Sequence, residues 1–291
     1  MDQTLLVFET YPAIFYTFVT ILGMVIGSFL NVVIHRLPIM MEREWKHDFE
    51  SYFEPDKEVK PLEKYNLAYP NSTCPKCQHK ITAMENIPLL SWLWLRGKCS
   101  NCKTAISVRY PAVEVLTGVC SLFVAWHFGL TEQTLMALVF MWSLLALTFI
   151  DLDKMLLPDQ ITLPLLWLGL LINTQSMFAS PTSAIWGAAV GYLSLWSLYW
   201  AFKLTTGKEG MGYGDFKLLA ALGAWLGVSS LPVIIILSSF VGAFVGISQM
   251  IINKQKQGKP IPFGPYLAIA GIIAMFKGDW IVQQYWNYVL G

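Results

Sequence analysis

The chain has 291 residues and a net charge of +1; 55% of its residues are hydrophobic and only 13% are charged. A soluble chain of this size would be about 25% charged. The composition therefore excludes an ordinary soluble domain and predicts a polytopic membrane protein. The charge is also uneven, because residues 35–110 hold 12 of the 20 lysines and arginines. We interpret this stretch as one large polar insert.

The pattern of apolar runs predicts an all-α protein with about eight transmembrane helices. The first run, 13–34, has 22 residues, enough to cross a hydrocarbon core of about 30 Å. No basic segment precedes it and no small-residue cleavage site follows it, so we expect a retained span and not a signal peptide. The predicted spans are 13–34, 112–128, 133–150, 161–175, 184–202, 216–228, 232–252 and 263–276.

Basic residues orient these spans, because loops on the cytoplasmic side are enriched in lysine and arginine. If the insert is cytoplasmic, parity puts 151–160, 203–215 and 253–262 on the same side. These four segments and Lys217 carry 19 of the 20 basic residues. A single kinked span over 216–252 is the alternative to two spans there. It would put the following lysines outside, so we favour two spans.

Two Cys-x-x-Cys pairs lie in the insert with 21 residues between them: Cys74 and Cys77, then Cys99 and Cys102. Paired zinc knuckles usually have about 15–20 residues between them, and this spacing is only slightly longer. Thiols on a reducing cytoplasmic side argue against disulfides. Four thiolates in tetrahedral geometry form a closed site, so we expect structural zinc. A redox-active pair is the weaker alternative, because no thioredoxin-like context surrounds it.

Two aspartates stand where apolar runs meet the predicted cytoplasmic side. Asp151 ends the 133–150 span, and Asp215 follows a glycine-rich stretch and opens the 216–228 span. A carboxylate at the end of a membrane helix costs free energy, so its presence there suggests a structural or functional role. Helix capping is the simpler explanation for Asp215 alone. The two spans run in opposite directions, however, which puts both carboxylates at one depth. There they would share a proton, as in aspartic proteases.

Other acidic residues have structural explanations. Asp159 is expected to be the N-cap of the next helix. Asp153 is expected to be solvated or to support Asp151. Glu114 is expected in the first turn of a helix, where an acid suits the helix dipole.

Six short segments then follow one another in a specific order over nearly the whole chain. They are 27–38 (GSFLNVVIHRLP), the knuckles with 95–99 (LRGKC), 109–114 (RYPAVE), 151–153 with 157–159 (DLD and LPD), 212–215 (GYGD) and 262–266 (PFGPY). With these segments the chain resembles the bacterial type IV prepilin peptidases, or prepilin leader peptidase/N-methyltransferases.

This resemblance implies an intramembrane aspartic protease of the Gly-x-Gly-Asp type with Asp151 and Asp215 as its catalytic pair. Members of the family cut the basic leader from type IV prepilins and type II secretion pseudopilins at the cytoplasmic membrane face. Many then methylate the new N-terminal amine with S-adenosylmethionine. The expected location is the bacterial inner membrane. The expected partners are prepilins, pseudopilins and the lipid bilayer, with no nucleic acid.

The resemblance also implies three regions: a first span (1–34), a cytoplasmic zinc-binding insert with the methyl-transfer site (35–110), and a membrane-embedded peptidase domain (111–291). Gly97 and Lys98 are the candidate contacts of the methyl donor. A turn before the second knuckle is the alternative explanation for both residues.

Two other functions remain open from the residues alone. A proton- or ion-coupled transporter would also carry intramembrane carboxylates and glycine breaks. The absence of an internal inverted repeat and the position of the carboxylates at one boundary count against it. A non-enzymatic assembly factor of a secretion machine is the second alternative. For the protease, we expect a basic leader to contact Glu209, Asp153 and Asp159.

Overall fold

The computed structural model describes residues 3–53, 62–253 and 261–290, and within these ranges the regular structure is helical, as predicted. Short 3₁₀ turns occur at Met84–Asn86, Asn173–Gln175 and Val228–Ser230. The α-helices are α1 (Gln3–Thr10), α2 (Pro12–Phe53), α3 (Leu90–Trp94), α4 (Arg109–Phe128), α5 (Glu132–Lys154), α6 (Asp159–Ile172), α7 (Pro181–Thr206), α8 (Tyr213–Leu226), α9 (Leu231–Asn253) and α10 (Gly264–Leu290).

Helices α2 and α4 to α10 coincide one by one with the eight predicted spans. Four helical segments in the described part are long and apolar enough to cross a membrane: Pro12–Phe53, Arg109–Phe128, Glu132–Lys154 and Val228–Ile252. A shorter apolar segment covers Gly264–Gly278. The chain is therefore a multi-pass membrane protein.

Helix α2 extends well past the predicted first span. It has 42 residues, which makes it about 60 Å long at 1.5 Å per residue, roughly twice the hydrocarbon thickness. Its second half carries the charged residues that open the polar insert, so this part of the insert is a helix and not a loop. Two further segments, residues 54–61 of the insert and the lysine-rich stretch 254–260, lie outside the described residues.

The chain divides into two compact units, Met1–Trp142 and Ser143–Gly291, and the boundary falls within α5. In the first unit, α2 packs closely against α4. A Cβ atom at Gly27 would lie 2.7 Å from the Cα atom of Glu114, and one at Gly23 would collide with Ser121. The Gly-x-x-x-Gly pattern of α2 is thus a helix-packing surface, as its small residues predict.

Helix α8 lies at the core of the second unit and packs against α6, α7 and α10. Almost its whole length is buried, including Phe216 and Trp225. Gly191 of α7 sits against α8, where an added Cβ atom would come within 2.7 Å of the Leu219 carbonyl oxygen. The Trp225 indole N–H donates to the Leu165 carbonyl of α6 at 2.7 Å. A buried α8 means that its first turn, which holds Asp215, has a fixed position.

Residues 216–252 form two helices, α8 and α9, and not one kinked helix. The chain leaves α8 at Gly227, whose φ of +79° is accessible to glycine at little cost. A short 3₁₀ turn then leads into α9, and Pro232 lies in the first turn of α9, where proline is tolerated. The chain therefore forms two helices here, as two spans would require, while their number as membrane spans stays a prediction.

At three acidic residues near helix starts, the structure differs from the explanations that capping and helix-dipole rules give. Pro158, and not Asp159, is the N-cap of α6, and the Asp159 carboxylate binds a lysine of α8. Glu114 lies past the first turn of α4 and is buried, where it accepts a hydrogen bond from the Leu89 N–H at 2.8 Å. The N-cap of α8 is Gly212, so capping does not explain Asp215. Sequence-based capping rules do not account for such distant partners.

Candidate active site and metal centre

Asp151 and Asp215 come from opposite helix ends within the second compact unit. Asp151 lies in the last turn of α5, and Asp215 lies in the first turn of α8. Their relative exposures are only 4% and 7%. The charge of Asp151 acts on Asp215, so the two carboxyl groups form one electrostatic unit. The structure therefore brings together the two residues predicted as a pair.

A backbone amide from the start of α10 completes the surroundings of Asp151. The Gly264 N–H donates to Asp151 Oδ2 at 3.0 Å. A Cβ atom at position 264 would lie 2.7 Å from the same oxygen, so only glycine fits there without displacing the carboxylate. Sequence reasoning did not assign this amide to the site, although Gly264 lies in the PFGPY segment that carries the resemblance.

Leu157 links the two aspartate-bearing segments. A Cβ atom at Gly214, next to Asp215, would lie 2.7 Å from Leu157 Cβ, and one at Gly264 would lie 2.9 Å from Leu157 Cδ2. The two glycines therefore let the loop after Asp151 pack against the starts of both α8 and α10. Because Leu157 touches both positions, the site is a packed arrangement of three chain segments.

Two acidic residues near the site are already paired with lysines. Lys217 Nζ lies 2.8 Å and 2.7 Å from the two carboxylate oxygens of Asp159. Lys203 Nζ lies 2.8 Å from Glu209 Oε1 and 3.1 Å from the Tyr199 hydroxyl. These pairs reduce the negative charge that Asp159 and Glu209 could offer to a basic leader.

The four insert cysteines converge on one point. All four sulfur atoms lie within 4.8 Å of one another. Cys74 Sγ is 3.7 Å from Cys102 Sγ, and Cys77 Sγ is 3.9 Å from Cys99 Sγ. A tetrahedral zinc ion with Zn–S bonds of about 2.3 Å has S–S edges of about 3.8 Å. The cluster therefore fits a four-cysteine zinc ion, which would be structural because no ligand position stays open.

The two knuckles are copies of one hairpin, displaced by 25 residues. In the first, the Cys74 N–H donates to the His79 carbonyl at 2.9 Å and Gln78 has a φ of +58°. In the second, the Cys99 N–H donates to the Thr104 carbonyl at 2.8 Å and Lys103 has the same φ. The repeated geometry presents two thiols from each turn to a shared centre, as paired zinc knuckles do.

The surroundings of two of the four thiols, Cys74 and Cys102, favour the thiolate form that binds zinc, whereas the pKa of Cys77 is raised. Hydrogen bonding to the side chain and backbone of Thr104 lowers the pKa of Cys102 to about 6. The backbone N–H groups of Cys77 and Lys76 lower the pKa of Cys74. Metal binding requires deprotonated cysteine, so these hydrogen bonds prepare the cluster for a cation.

Gly97 and Lys98 lie at the base of the second hairpin. Gly97 is buried with a φ of +67°, and a Cβ atom there would lie 2.8 Å from the Trp92 ring. Its N–H donates to the Trp92 carbonyl at 2.8 Å, and its carbonyl accepts the Ile106 N–H at 2.7 Å. Lys98 pairs with Ala105 in a β-bridge and is exposed. Both residues thus have a role in the turn, and their contact with a methyl donor stays a prediction.

Comparisons with known proteins agree with this geometry over almost the whole chain. A profile described as the bacterial peptidase A24 N-terminal domain matches residues 21–128, and one described as the type IV leader peptidase family matches 138–247. A prepilin leader peptidase/N-methyltransferase of Aeromonas hydrophila is 61% identical over 274 residues, 94% of each chain. The chain belongs to the type IV leader peptidase family. Proteins of the same name from Pseudomonas aeruginosa and Legionella pneumophila are 54% and 48% identical, each over 96% of both chains.

In this member of the type IV leader peptidase family, each of the two profile matches falls almost entirely within one of the two compact units. The N-terminal match contains the cysteine cluster, and the second match contains both aspartates. No solved structure matched the chain.

Proposed function

We propose that this chain cleaves the basic leader peptide from type IV prepilins and type II secretion pseudopilins, and then methylates the new N-terminal residue with S-adenosylmethionine. The buried pair of Asp151 and Asp215 is the observation that carries the first activity. A relative with 61% identity is named for both activities, and its match covers 94% of this chain, including both units.

The aspartate pair would act as a general base and a general acid. Two carboxyl groups that act on each other hold one proton between them, because two adjacent negative charges are costly. The ionised carboxylate takes a proton from water, which attacks the scissile carbonyl. The protonated carboxyl donates to the carbonyl oxygen as its charge develops. The Gly264 N–H would hold Asp151 in position through these steps.

The location is part of the proposal. We propose that the aspartates lie at the cytoplasmic face of a bacterial inner membrane, because basic residues in the insert and in the loops on the same side favour that orientation. A prepilin could then keep its apolar helix in the bilayer while its leader extends into the cytoplasm. A basic leader would contact Asp153, Asp159 and Glu209, and in the described structure Asp159 and Glu209 are paired with Lys217 and Lys203.

The methyl transfer would take place in the first unit. The cysteine cluster would hold zinc as a structural ion and leave it no catalytic position. When bound, S-adenosylmethionine supplies an electrophilic methyl group to the neutral α-amine and becomes S-adenosylhomocysteine. The amine loses a proton as it gains the methyl group. Lys98 is exposed beside the second hairpin and remains a candidate contact; Gly97 supports it by shaping the turn.

A mass-spectrometric assay with a purified prepilin tests both activities. The wild-type protein should remove the leader, and the product should gain about 14 Da only when S-adenosylmethionine is present. Asp151→Asn and Asp215→Asn should each reduce cleavage by about 10²–10⁴-fold, because an amide cannot exchange the required proton. Zinc content and yield should not change.

Glu132→Gln is the matched control, since Glu132 lies at the opposite end of the helix that carries Asp151. It should cleave at the wild-type rate. Cleavage at the wild-type rate by either aspartate variant would show that this pair is not catalytic. Failure of the wild type to cleave any prepilin in an active lipid environment would favour the transporter.

A further inference from the structure

Arg36 carries a charge that no acidic residue in the described ranges neutralises. It lies on α2 just beyond the first predicted span and is only 8% exposed. Its Nη1 atom donates to the carbonyl oxygens of Asn66 at 3.0 Å and Leu67 at 3.4 Å. Its guanidinium also lies 5.7 Å from the centre of the Tyr65 ring. A buried guanidinium stays ionised, so it requires an anion, dipoles or water.

The other two guanidinium nitrogens of Arg36, Nε and Nη2, are not sealed within the described part of the protein. In the described part of the chain, every buried side-chain nitrogen or oxygen has a hydrogen-bond partner. The two carbonyl bonds of Arg36 both use Nη1. Nε and Nη2 are therefore at least partly accessible to solvent, and Arg36 is one of the residues that line a cleft.

The cleft has a volume of about 360 Å³, within the range of about 300–1,000 Å³ that small-molecule sites occupy. Its wall offers amides at Asn71 and Asn86, a hydroxyl at Thr82 and apolar surface at Leu67. These groups can bind a ligand that combines a carboxylate, hydroxyl groups and an aromatic base. S-adenosylmethionine has all three.

The first zinc knuckle holds one wall of this cleft. Ser72 and Ile81 border the cleft from the two arms of the first hairpin, and the Ile81 N–H donates to the Ser72 carbonyl at 2.9 Å. Thr82 is fixed in turn, because its N–H and hydroxyl donate to Glu85 Oε2 at 2.8 Å and 3.0 Å. The cleft is therefore a shaped site next to the cysteine cluster.

We propose that this cleft, whose lining does not include Gly97 or Lys98, is the methyl-donor site in place of the turn at those two residues, and that Arg36 binds the carboxylate of S-adenosylmethionine. This inference rests on the proposed methyl transfer. It adds the location of the methyl-donor site and the residue that binds the donor's carboxylate. The free edge of the guanidinium presents N–H donors that match the two oxygens of a carboxylate. The carbonyl bonds to Asn66 and Leu67 hold the guanidinium in place, so little side-chain entropy is lost on binding.

The sharpest test compares two ligands on the wild-type protein by calorimetry: S-adenosylmethionine and its decarboxylated form. If Arg36 binds the carboxylate, the intact donor should bind roughly tenfold or more tightly, because a charge-assisted bidentate pair is lost with the carboxylate. Equal affinities for the two ligands would overturn the proposal. This comparison needs no variant, so it does not depend on the folding of one.

Variants of Arg36 then test whether this residue causes the difference in affinity between the two ligands. Arg36→Gln should reduce the affinity ratio between the two ligands to about one, and Arg36→Lys should leave it intermediate, since a lysine keeps the charge without the planar fork. The ratio is measured within one preparation, so a partly unfolded fraction does not change it. A wild-type ratio in Arg36→Gln would overturn the assignment.

Arg43→Gln is the matched control, because Arg43 lies on the same helix, 4.2 Å from the centre of the same Tyr65 ring, and does not line the cleft. It should keep the wild-type ratio, and a ratio of about one there would contradict a specific role for Arg36. The test also separates this inference from the function on which it rests. If the wild type methylates its product but binds both ligands with equal affinity, only the inference about Arg36 is contradicted. A wild type that cleaves but binds no S-adenosylmethionine contradicts the methyl transfer as well.

Discussion

Asp151 is held by a backbone amide from a residue 113 positions away along the chain. That contact places Gly264 at the site without giving it any side-chain chemistry. A carboxylate that must exchange a proton with water needs a fixed orientation, because small displacements of catalytic groups have large effects on rate. The absence of a side chain at position 264 is what permits the contact.

We predict that Gly264→Ala strongly impairs cleavage. The new Cβ atom would lie 2.7 Å from Asp151 Oδ2 and 2.9 Å from Leu157 Cδ2, so the carboxylate has to move. A displacement of about 1 Å can reduce a rate about 10²-fold, and we expect a fall of that size in kcat in the prepilin assay.

Gly278→Ala is the control for Gly264→Ala, since it makes the same change in the same helix. The nearest atoms to a Cβ atom there are 3.8 Å away, and alanine is the better helix former. This variant should keep wild-type kcat. Equal rates in the two variants would contradict a positioning role for Gly264.

At the scale of the element, α8 depends on a polar residue outside it. Asn173 is fully buried, and its side-chain amide donates to the carbonyl oxygens of Ala224 at 2.8 Å and Trp225 at 2.9 Å. Its side-chain oxygen accepts N–H groups from Phe178 at 2.9 Å and Ala179 at 3.0 Å. One side chain therefore satisfies the carbonyl end of α8 and shapes the loop before α7.

We predict that Asn173→Ala destabilises the protein by about 3 kcal/mol or more, because each buried polar group left unsatisfied costs about 1–3 kcal/mol. The measurement is thermal unfolding in one detergent. Thr174→Ala is the control, since Thr174 is exposed and its hydroxyl bonds only to the Leu171 carbonyl. A melting temperature for Asn173→Ala equal to that of the control would contradict this role.

At the scale of the whole molecule, we assign the two proposed activities to different compact units. The cysteine cluster and Arg36 lie in the first unit, and the aspartate pair lies in the second. The first unit also carries a buried connection between its insert and α4, from the Leu89 N–H to Glu114. Damage to the cluster should therefore affect methylation before it affects cleavage.

We predict that a chelator, or the change Cys74→Ser, removes methylation while leader cleavage persists. Without the metal the first hairpin loses the bonds that fix the cleft wall at Ser72 and Ile81. Mass spectrometry of the prepilin product, with S-adenosylmethionine present, measures both activities in one sample. Cys120→Ser is the control, because Cys120 lies in α4 outside the cluster. Methylation that survives metal removal would contradict this dependence.

Much of the fold followed from local patterns in the sequence. Apolar runs predicted the eight long helices, because a span is set by its own length and hydropathy. Cysteine spacing predicted the cluster, because each knuckle is a short hairpin whose geometry depends on neighbouring residues. The pairing of Asp151 and Asp215 was predicted by counting spans, which needs only the order of the elements along the chain.

Only the tertiary structure decided the contacts between distant segments. The Gly264 amide on Asp151, the lysine partner of Asp159, and the cleft beside Arg36 all join residues that no periodicity relates. Capping rules failed at Asp159 for the same reason, since its carboxylate binds Lys217, 58 positions away, and does not cap its own helix. Hydropathy and spacing act locally, whereas the partner of a buried polar group is chosen by the packing of the whole unit.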